Sequence, residues 1–309
     1  MGPRSRETRR STAENVGKAL SDCKNTAMEF PDLLREMLPE LGLEWRRHHR
    51  RAIRRRVVRR MDEIGLRSYA RYRDRLREDP EERRRFAAEL NVTITRLFRN
   101  RDRLAPLLDA AFDRYRQRTE SPTPCRILSC GCAGGEEPYT VAILFDLWNA
   151  RTADGNLPPP RITACDIDDR CLERARRAIY SGTCLREIPA PVLASHFEPV
   201  ENYDSPAHRP IERIRRQVRF VRRNVLVDGP PDGPFDIVLC RNLAYTYFAE
   251  AKRVAFTEEL ATCMTAGAAL LVGSSESIPP PRAGSRLRTD PSDSMLAWKT
   301  SSADPAADG

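Results

Sequence analysis

Two adjacent carboxylates, Glu136 and Glu137, close a run of small residues, Cys130-Gly131-Cys132-Ala133-Gly134-Gly135. Glycines in such a loop let the backbone approach a ligand and take positive φ without a Cβ clash. The run is neither G-x-G-x-x-G nor a phosphate loop, because no Gly-Lys-Ser/Thr follows. It holds two acids and no basic residue, which disfavours a pyrophosphate. A ligand carrying a cationic amino group or ribose hydroxyls fits better. A further acid, Asp166, stands about thirty residues on, the position from which a carboxylate holds the 2′/3′ hydroxyls of an adenosine ribose. Asp168 or Asp169 reads instead as a helix N-cap.

These residues need a scaffold, and the flanking patterns supply it. Ile127 and Leu128 before the loop signal a buried strand, and Val141–Trp148 after it signals an amphipathic helix. Further strands are expected at Arg126–Ser129, Ile162–Cys165, Val218–Val221, Phe235–Cys240 and Ala268–Val272. Helices are expected at Tyr139–Ala150, Asp169–Ile179 and Glu250–Met264. Alternating strands and helices predict an α/β fold with a doubly wound parallel sheet. Ser285–Thr289 and Met295–Lys299 could pair as a final hairpin. Residues 183–217, with Pro189, Pro191, Pro199, Pro206 and Pro210, show no strand pattern and read as a subdomain or insertion.

The chain has 309 residues and a net charge of +9, enough for two domains. Arginine carries the positive charge, mainly before residue 120. Residues 1–25 are polar and aperiodic, which predicts disorder. A small helical domain is expected over 26–90: Phe30, Leu33, Leu34, Met37, Leu38 and Leu41 recur at helical spacing, and Gly42 ends that helix. In Glu44–Met61, Ile53, Val57 and Met61 share one face and arginines cover the rest. That basic helix, 46–60, is either a solvated face or a dock for a polyanionic partner. Asp79-Pro80-Glu81-Glu82 starts another helix. Asn91–Asn100 reads as an extended linker, and Asp102–Arg116 as a helix. The main domain spans 117–300, and 301–309 reads as a disordered tail. No apolar run of about 18 residues occurs, so no transmembrane helix is expected. No signal peptide is read at Met1–Arg6, and Arg6 breaks the myristoylation pattern. The nine scattered cysteines form no zinc spacing and suit a reducing cytosol. His48 and His49 point to different faces and are not read as ligands.

The motifs together resemble the chemotaxis receptor methyltransferase (CheR) family over roughly residues 30–300. Gly131-Cys132-Ala133-Gly134-Gly135-Glu136-Glu137-Pro138-Tyr139-Thr140 resembles that family's G-C-[AS]-[ST]-G-E-E-P-Y-S. Thr95–Asn100 resembles T-x-F-F-R-[DN], and Asp166-Ile167-Asp168 resembles D-I-D. Phe235–Asn242 resembles F-D-x-[IV]-x-C-R-N, and Gly273–Ser277 resembles G-H-S-E-S. Arg55-Arg56-Val57 and Gly65–Tyr69 resemble its small helical domain.

The resemblance implies a Rossmann-like class I methyltransferase domain behind an all-helical domain, with S-adenosylmethionine as cofactor and no metal. It implies that Thr93, Thr95 and Arg99 lie on a linker over the cofactor. Gly131 and Glu136 or Glu137 would meet its methionine end, Asp166 its ribose, and Asn224 with Val225 its adenine. Arg241 and Asn242 would border the reaction centre. Tyr247 would donate to the substrate carboxylate. Cys240–Phe248 is one residue longer than the family pattern, which leaves Tyr245 as an alternative. Ser274 replaces the family histidine, and Thr93 stands where some members carry asparagine.

The implied reaction is protein-glutamate O-methylation in the cytoplasm, on an acidic chemoreceptor helix docked on helix 46–60, by a monomer. An alternative is a different protein or a small acid as substrate. A glutamate is ionised at pH 7, so in-line methyl transfer needs no general base, and catalysis reduces to positioning. Arg99 would grip a carboxylate of substrate or cofactor, with cofactor contact preferred. Nucleic-acid binding ranks last, since the arginine face lacks interleaved aromatics.

Overall fold

The computed structural model describes residues 28–44, 50–90, 95–118, 123–152, 157–203, 205–280 and 285–300. The expectations for 1–25, for Trp45–His49 at the start of the basic helix, for Thr93 and for 301–309 lie outside them. The described residues fall into two compact units, one from 28–37 and 50–89 and the other from 38–44 and residue 90 onward.

The first unit is all-helical: α1 (Phe30–Glu40), α2 (Arg50–Glu63), α3 (Tyr69–Glu78) and α4 (Pro80–Glu89), with the last turn of α1 belonging to the second unit. The periodic apolar residues form its core, with Leu33, Met37, Val57, Tyr72, Leu76 and Phe86 fully buried. Asp79 caps α4, its carboxylate accepting the Glu81 and Glu82 amides at 2.9 and 3.2 Å. On α2, Arg51, Arg54, Arg55 and Arg59 are exposed, but Arg60 turns inward. Its Nη2 donates to Glu82 at 2.6 Å, and the Tyr72 hydroxyl donates to the same carboxylate at 3.0 Å. Burial pushes the Glu82 carboxyl up, but hydrogen bonds from Arg60 and Tyr72 outweigh it and hold the group below its usual range. Glu82 therefore adds stability that is present above its unfolded value and lost as pH falls through the lower folded one. Glu82→Ala leaves the Arg60 guanidinium only its Glu63 partner and the Tyr72 hydroxyl none; a loss of about 2 kcal/mol is expected by urea denaturation at pH 7, shrinking toward pH 3.

The second unit holds a seven-stranded sheet: β1 (Arg126–Cys130), β2 (Arg161–Asp166), β6 (Val218–Arg222), β7 (Phe235–Cys240), β8 (Met264–Val272), β9 (Leu287–Thr289) and β10 (Leu296–Lys299). The order is β6-β2-β1-β7-β8-β10-β9. The first five strands are parallel, and β10 runs antiparallel to β8 and β9. The expected hairpin is thus the sheet's antiparallel edge. Helices α5 (Arg101–Arg118), α6 (Glu136–Arg151), α7 (Asp169–Arg177) and α12 (Glu250–Thr262) flank the strands. Phe112 of α5 packs on Phe145 and Trp148 of α6 at ring distances of 5.0 and 5.3 Å. Order reverses at β1, with β2 on one side and β7 on the other, so the crevice for a ligand opens at the carboxyl ends of β1 and β7.

Several boundaries differ from expectation for local reasons. Helix α6 starts at Glu136, not Tyr139, because left-handed Gly135 (φ 86°) turns the chain and the two acids sit at the positive end of the helix dipole. Helix α7 ends at Arg177, before left-handed Ala178 (φ 54°). Its N-cap is Asp168, which accepts from Arg170 N at 2.9 Å. Helix α12 ends at Thr262 and strand β8 begins at Met264, the residue expected to close that helix, four residues ahead of the expected strand start at Ala268. Residues 97–100 form a tight turn in place of the extended linker expected over Asn91–Asn100, whose first four residues lie outside the described ones.

The segment read as patternless carries a second sheet: β3 (Tyr180–Ser181), β4 (Phe197–Val200) and β5 (Ala207–Pro210), antiparallel in the order β3-β5-β4. Two short helices join it, α8 (Ala190–His196) and α9 (Glu212–Arg215). Prolines masked it, yet Pro199 lies on the edge strand and Pro210 ends its strand, where a missing N–H is tolerated. Asp146 of α6 ties this subdomain down: its carboxylate meets His196 Nε2 at 3.0 Å and Arg213 Nη1 at 2.6 Å. The His196 hydrogen bond, opposed by burial and reinforced by Arg213, lowers the Asp146 carboxyl to about 2. Its stability contribution is full above an unfolded value near 3.8 and is lost as pH falls through about 2. Asp146→Asn should cost roughly 1 kcal/mol at pH 7 after allowance for solvent screening. Thermal melts at pH 7 and pH 2 check this, and the difference between variant and wild type should shrink strongly at the lower pH.

Candidate active site

The glycine loop leaves β1 and wraps over the end of β2. Gly131 (φ 72°) and Cys132 donate their amides to Cys165 O at 2.8 and 3.0 Å. The left-handed backbone favours glycine there, and a Cβ on Gly131 would lie 2.9 Å from Leu243 Cδ2 and push that side chain aside. Ala133 is left-handed (φ 49°), and its amide is held by Asp166 Oδ2 at 2.8 Å. The Arg174 guanidinium covers Gly134, where a Cβ would come within 2.0 Å of Nη2.

The two consecutive glutamates separate, as residues about 100° apart on a helix must. Glu137 faces the cavity. Its Oε1 accepts from Ser129 Oγ at 2.8 Å and its Oε2 from Arg241 Nη1 at 3.1 Å. Glu136 is fully buried elsewhere, with Oε1 on Arg174 Nη2 at 2.7 Å. Burial raises both carboxyls; Arg241 and Ser129 oppose the rise at Glu137, and Arg174 opposes it at Glu136.

At the end of β7, Arg241 is buried, and its Nε and Nη2 have no hydrogen-bond partner among the described residues. Asn242 is left-handed (φ 56°) and donates its amide to Glu276 Oε2 at 2.7 Å. The same oxygen accepts Gly273 N at 2.7 Å, and Glu276 Oε1 accepts the Thr246 hydroxyl. Glu276, in the stretch resembling G-H-S-E-S, thus clasps the ends of β7 and β8. The two tyrosines that follow differ sharply. Tyr245 is 1% exposed in the hydrophobic core, its hydroxyl 3.1 Å from Thr257 Oγ1. Tyr247 is partly exposed at the end of α11 (Ala244–Tyr247), and its carbonyl accepts Glu44 N at 2.8 Å.

The turn Thr95–Asn100 completes the wall. Phe98 and Asn100 are left-handed (φ 61° and 55°) on either side of Arg99. The Phe98 amide donates to Thr140 Oγ1 at 2.9 Å, the Leu97 amide to Cys184 O at 3.2 Å, and Asn100 Nδ2 to Ser274 Oγ at 3.2 Å.

A cavity of about 580 Å³, counted with its open mouth, is lined by Thr95, Arg96, Arg99, Leu104, Gly131, Cys132, Ala133, Glu137, Thr140, Arg241 and Asn242. Of the residues singled out from sequence, Thr95, Arg99, Gly131, Glu137, Arg241 and Asn242 meet there. Glu136, Tyr247, Asp166, Asn224 and Val225 do not line it. The last three mark the neighbouring half of the same sheet edge, where Arg223 N donates to Asp166 O at 2.9 Å and Asn224 caps a short turn of helix at Val225–Asp228. Sequence reasoning passed over Arg96, Leu104, Cys132, Ala133 and Thr140. All but Leu104 lie inside the quoted motifs, which was their signal; Leu104 is an ordinary apolar residue of α5 and gave none.

The donor set fits a ligand that carries an ammonium, a carboxylate and ribose hydroxyls. Glu137 supplies the anion, and the unpaired Arg241 donors with Arg99 supply a carboxylate grip. Asp166 accepts the Ala133 and Asp168 amides, one per oxygen, and a carboxylate has about four acceptor sites, so capacity remains. Burial raises the Asp166 carboxyl, opposed by these amides.

Comparison with known proteins agrees with this geometry. The family model "CheR methyltransferase, SAM binding domain" matches residues 93–290, and "CheR methyltransferase, all-alpha domain" matches residues 28–90. Chemotaxis protein methyltransferase 2 of Pseudomonas aeruginosa is 30% identical over 223 residues, 72% of this chain and 76% of its own. A chemotaxis protein methyltransferase of Listeria innocua is 26% identical over 257 residues, 81% and 92% of the two chains. A protein of Pseudomonas aeruginosa named probable biofilm formation methyltransferase WspC is 29% identical over 72% of this chain and 51% of its own. A helical unit, a β1–β7 crevice lined by the glycine loop, and a domain for S-adenosylmethionine together place the chain in the CheR methyltransferase family.

Proposed function

We propose that this chain esterifies glutamate side chains of a protein, with S-adenosylmethionine as methyl donor and an acidic chemoreceptor helix as substrate. The observation that carries this reading is a cavity holding one carboxylate, Glu137, against Arg96, Arg99 and Arg241, with no histidine or free acid among its lining residues to serve as base. A substrate glutamate needs none, being ionised already at pH 7.

When bound, S-adenosylmethionine supplies an electrophilic methyl group on a cationic sulfur. Glu137 would take the ammonium end and Arg241 the carboxylate, with Gly131 allowing close approach. Asp166 would accept the ribose hydroxyls, and Asn224 with Val225 would flank the base. Arg99 orients whichever carboxylate enters beside it, and Tyr247 donates a hydrogen bond to the nucleophile. These groups exclude water around a reaction in which opposite charges neutralise, so a dry wall favours the transition state. The exposed arginines of α2 suit an acidic helical partner in the cytoplasm. The extra residue in Cys240–Phe248 and the resemblance to the WspC protein favour, as a second reading, the same chemistry on a different protein.

Incubation with labelled S-adenosylmethionine and acidic receptor fragments should give base-labile methyl esters. Tyr247→Phe should lower kcat at least tenfold, about 1.4 kcal/mol of barrier. Tyr245→Phe should cost about 1 kcal/mol of stability through its lost hydroxyl bond and leave the chemistry intact. Label in no protein fraction would exclude the protein-substrate reading. The raised Glu137 carboxyl gives a second check. Lowering the pH protonates it above the ordinary glutamate value of about 4.3 and removes the partner of the cofactor's ammonium. Affinity measured calorimetrically should therefore fall from above that value, and Glu137→Gln should be weak and pH-independent there.

A further inference from the structure

We propose that Thr140 is a positioning residue that sets the Arg99 turn against the glycine-loop helix, and so sets cofactor affinity without touching the reacting atoms. The inference rests on the cofactor reading above and extends it to a residue with no assigned role.

Thr140 is 2% exposed. Its hydroxyl has one proton and two acceptor lone pairs. The neighbouring Phe98 amide can only donate, so Thr140 Oγ1 accepts from it at 2.9 Å and spends its own proton on Glu136 O at 2.7 Å. The direction of the relay is thus fixed: Phe98 N–H to Thr140 to the first carbonyl of α6. Phe98 is a bulky residue in the left-handed region (φ 61°) and is 1% exposed. A non-glycine residue there is held at a cost of about 1–2 kcal/mol, so the conformation persists only while its surroundings dictate it. The Thr140 bond fixes the Leu97–Phe98 peptide, one peptide unit ahead of the one that leads into Arg99. The first turn of α6 carries Glu137 one residue from Glu136, so a single hydroxyl couples the arginine wall of the cavity to its carboxylate wall.

A valine at 140 keeps the shape but leaves the Phe98 amide buried without an acceptor, whereas a serine keeps the acceptor and proton. The test is calorimetric titration of S-adenosylhomocysteine into the full chain as wild type, Thr140→Val, Thr140→Ser, Arg99→Ala and the Thr140→Val/Arg99→Ala double variant. Thr140→Val should bind at least tenfold more weakly, and Thr140→Ser should restore affinity to within about threefold. If the effect runs through Arg99, Thr140→Val should add little in the Arg99→Ala background, a coupling that general loosening of the fold would not produce. Should the valine variant fail to fold, Thr140→Ala takes its place in the same cycle. Wild-type binding with an unaffected valine variant, or full additivity with Arg99→Ala, overturns the positioning role alone. Absence of wild-type binding overturns the cofactor reading and this inference with it.

Discussion

A buried arginine, Arg241, paired with a largely buried glutamate, Glu137, is the constraint from which the rest of the site follows. Removing either would leave the other charge largely buried and uncompensated, at a cost of several kcal/mol. Together they fasten three elements: Ser129 on β1 binds the glutamate, α6 carries it, and the residue after β7 carries the arginine. The pair therefore sits across the point where strand order reverses. Burial still raises the Glu137 carboxyl, and two Arg241 donors find no partner among the described residues. The site is thus poised to gain from a ligand that completes both groups.

Around that pair the backbone is bent by a recurring device. Four non-glycine residues of the site are left-handed: Phe98, Asn100, Ala133 and Asn242. Each donates its own amide to a side-chain oxygen. Phe98 uses Thr140, Asn100 uses Glu187 at 3.3 Å, Ala133 uses Asp166, and Asn242 uses Glu276. The cost of an unfavourable backbone region, about 1–3 kcal/mol each, is offset by hydrogen bonds to side-chain acceptors, three of them carboxylates and all but Glu187 buried. Acids that look from the sequence like ligand-binding groups thus also hold the walls. For Asp166 the two roles are compatible, because amides occupy only part of its acceptor capacity. Glu276 already holds three donors, from Asn242, Gly273 and Thr246, and it is better understood as a clasp.

This division of labour explains what could be read in advance. Strand–helix alternation, the glycine loop and the acid after β2 are patterns of residue type, so the sheet and its ligand edge were legible. Orientation was not. Whether Glu136 or Glu137 faces the cavity depends on where α6 begins, and that turns on Gly135 being left-handed. Whether Tyr245 or Tyr247 is accessible depends on a four-residue helix after β7, too short to carry a periodic signal. The small sheet at Tyr180–Pro210 escaped because strands of two to four residues with prolines show no alternation. Arg96–Asn100 read as extended because Leu97, Phe98 and Arg99 say nothing of φ; the left-handed turn is imposed by partners distant in sequence, Thr140, Glu187 and Ser274.

The charge balance of the cavity bears on which reaction it favours. Its lining has three arginines and one glutamate, but the charges are not equally available. Arg96 leans on Glu187 at 3.2 Å and Arg241 on Glu137 at 3.1 Å, so much of the excess positive field is spent within the protein. An arginine that fully neutralised an incoming carboxylate would stabilise the nucleophile before attack and raise the barrier. A carboxylate flanked by partly committed arginines is oriented by directional donors while keeping most of its reactivity. For a displacement that begins with separated opposite charges and ends with none, such a wall serves better than a strongly cationic one, because preorganised donors then act on position more than on charge.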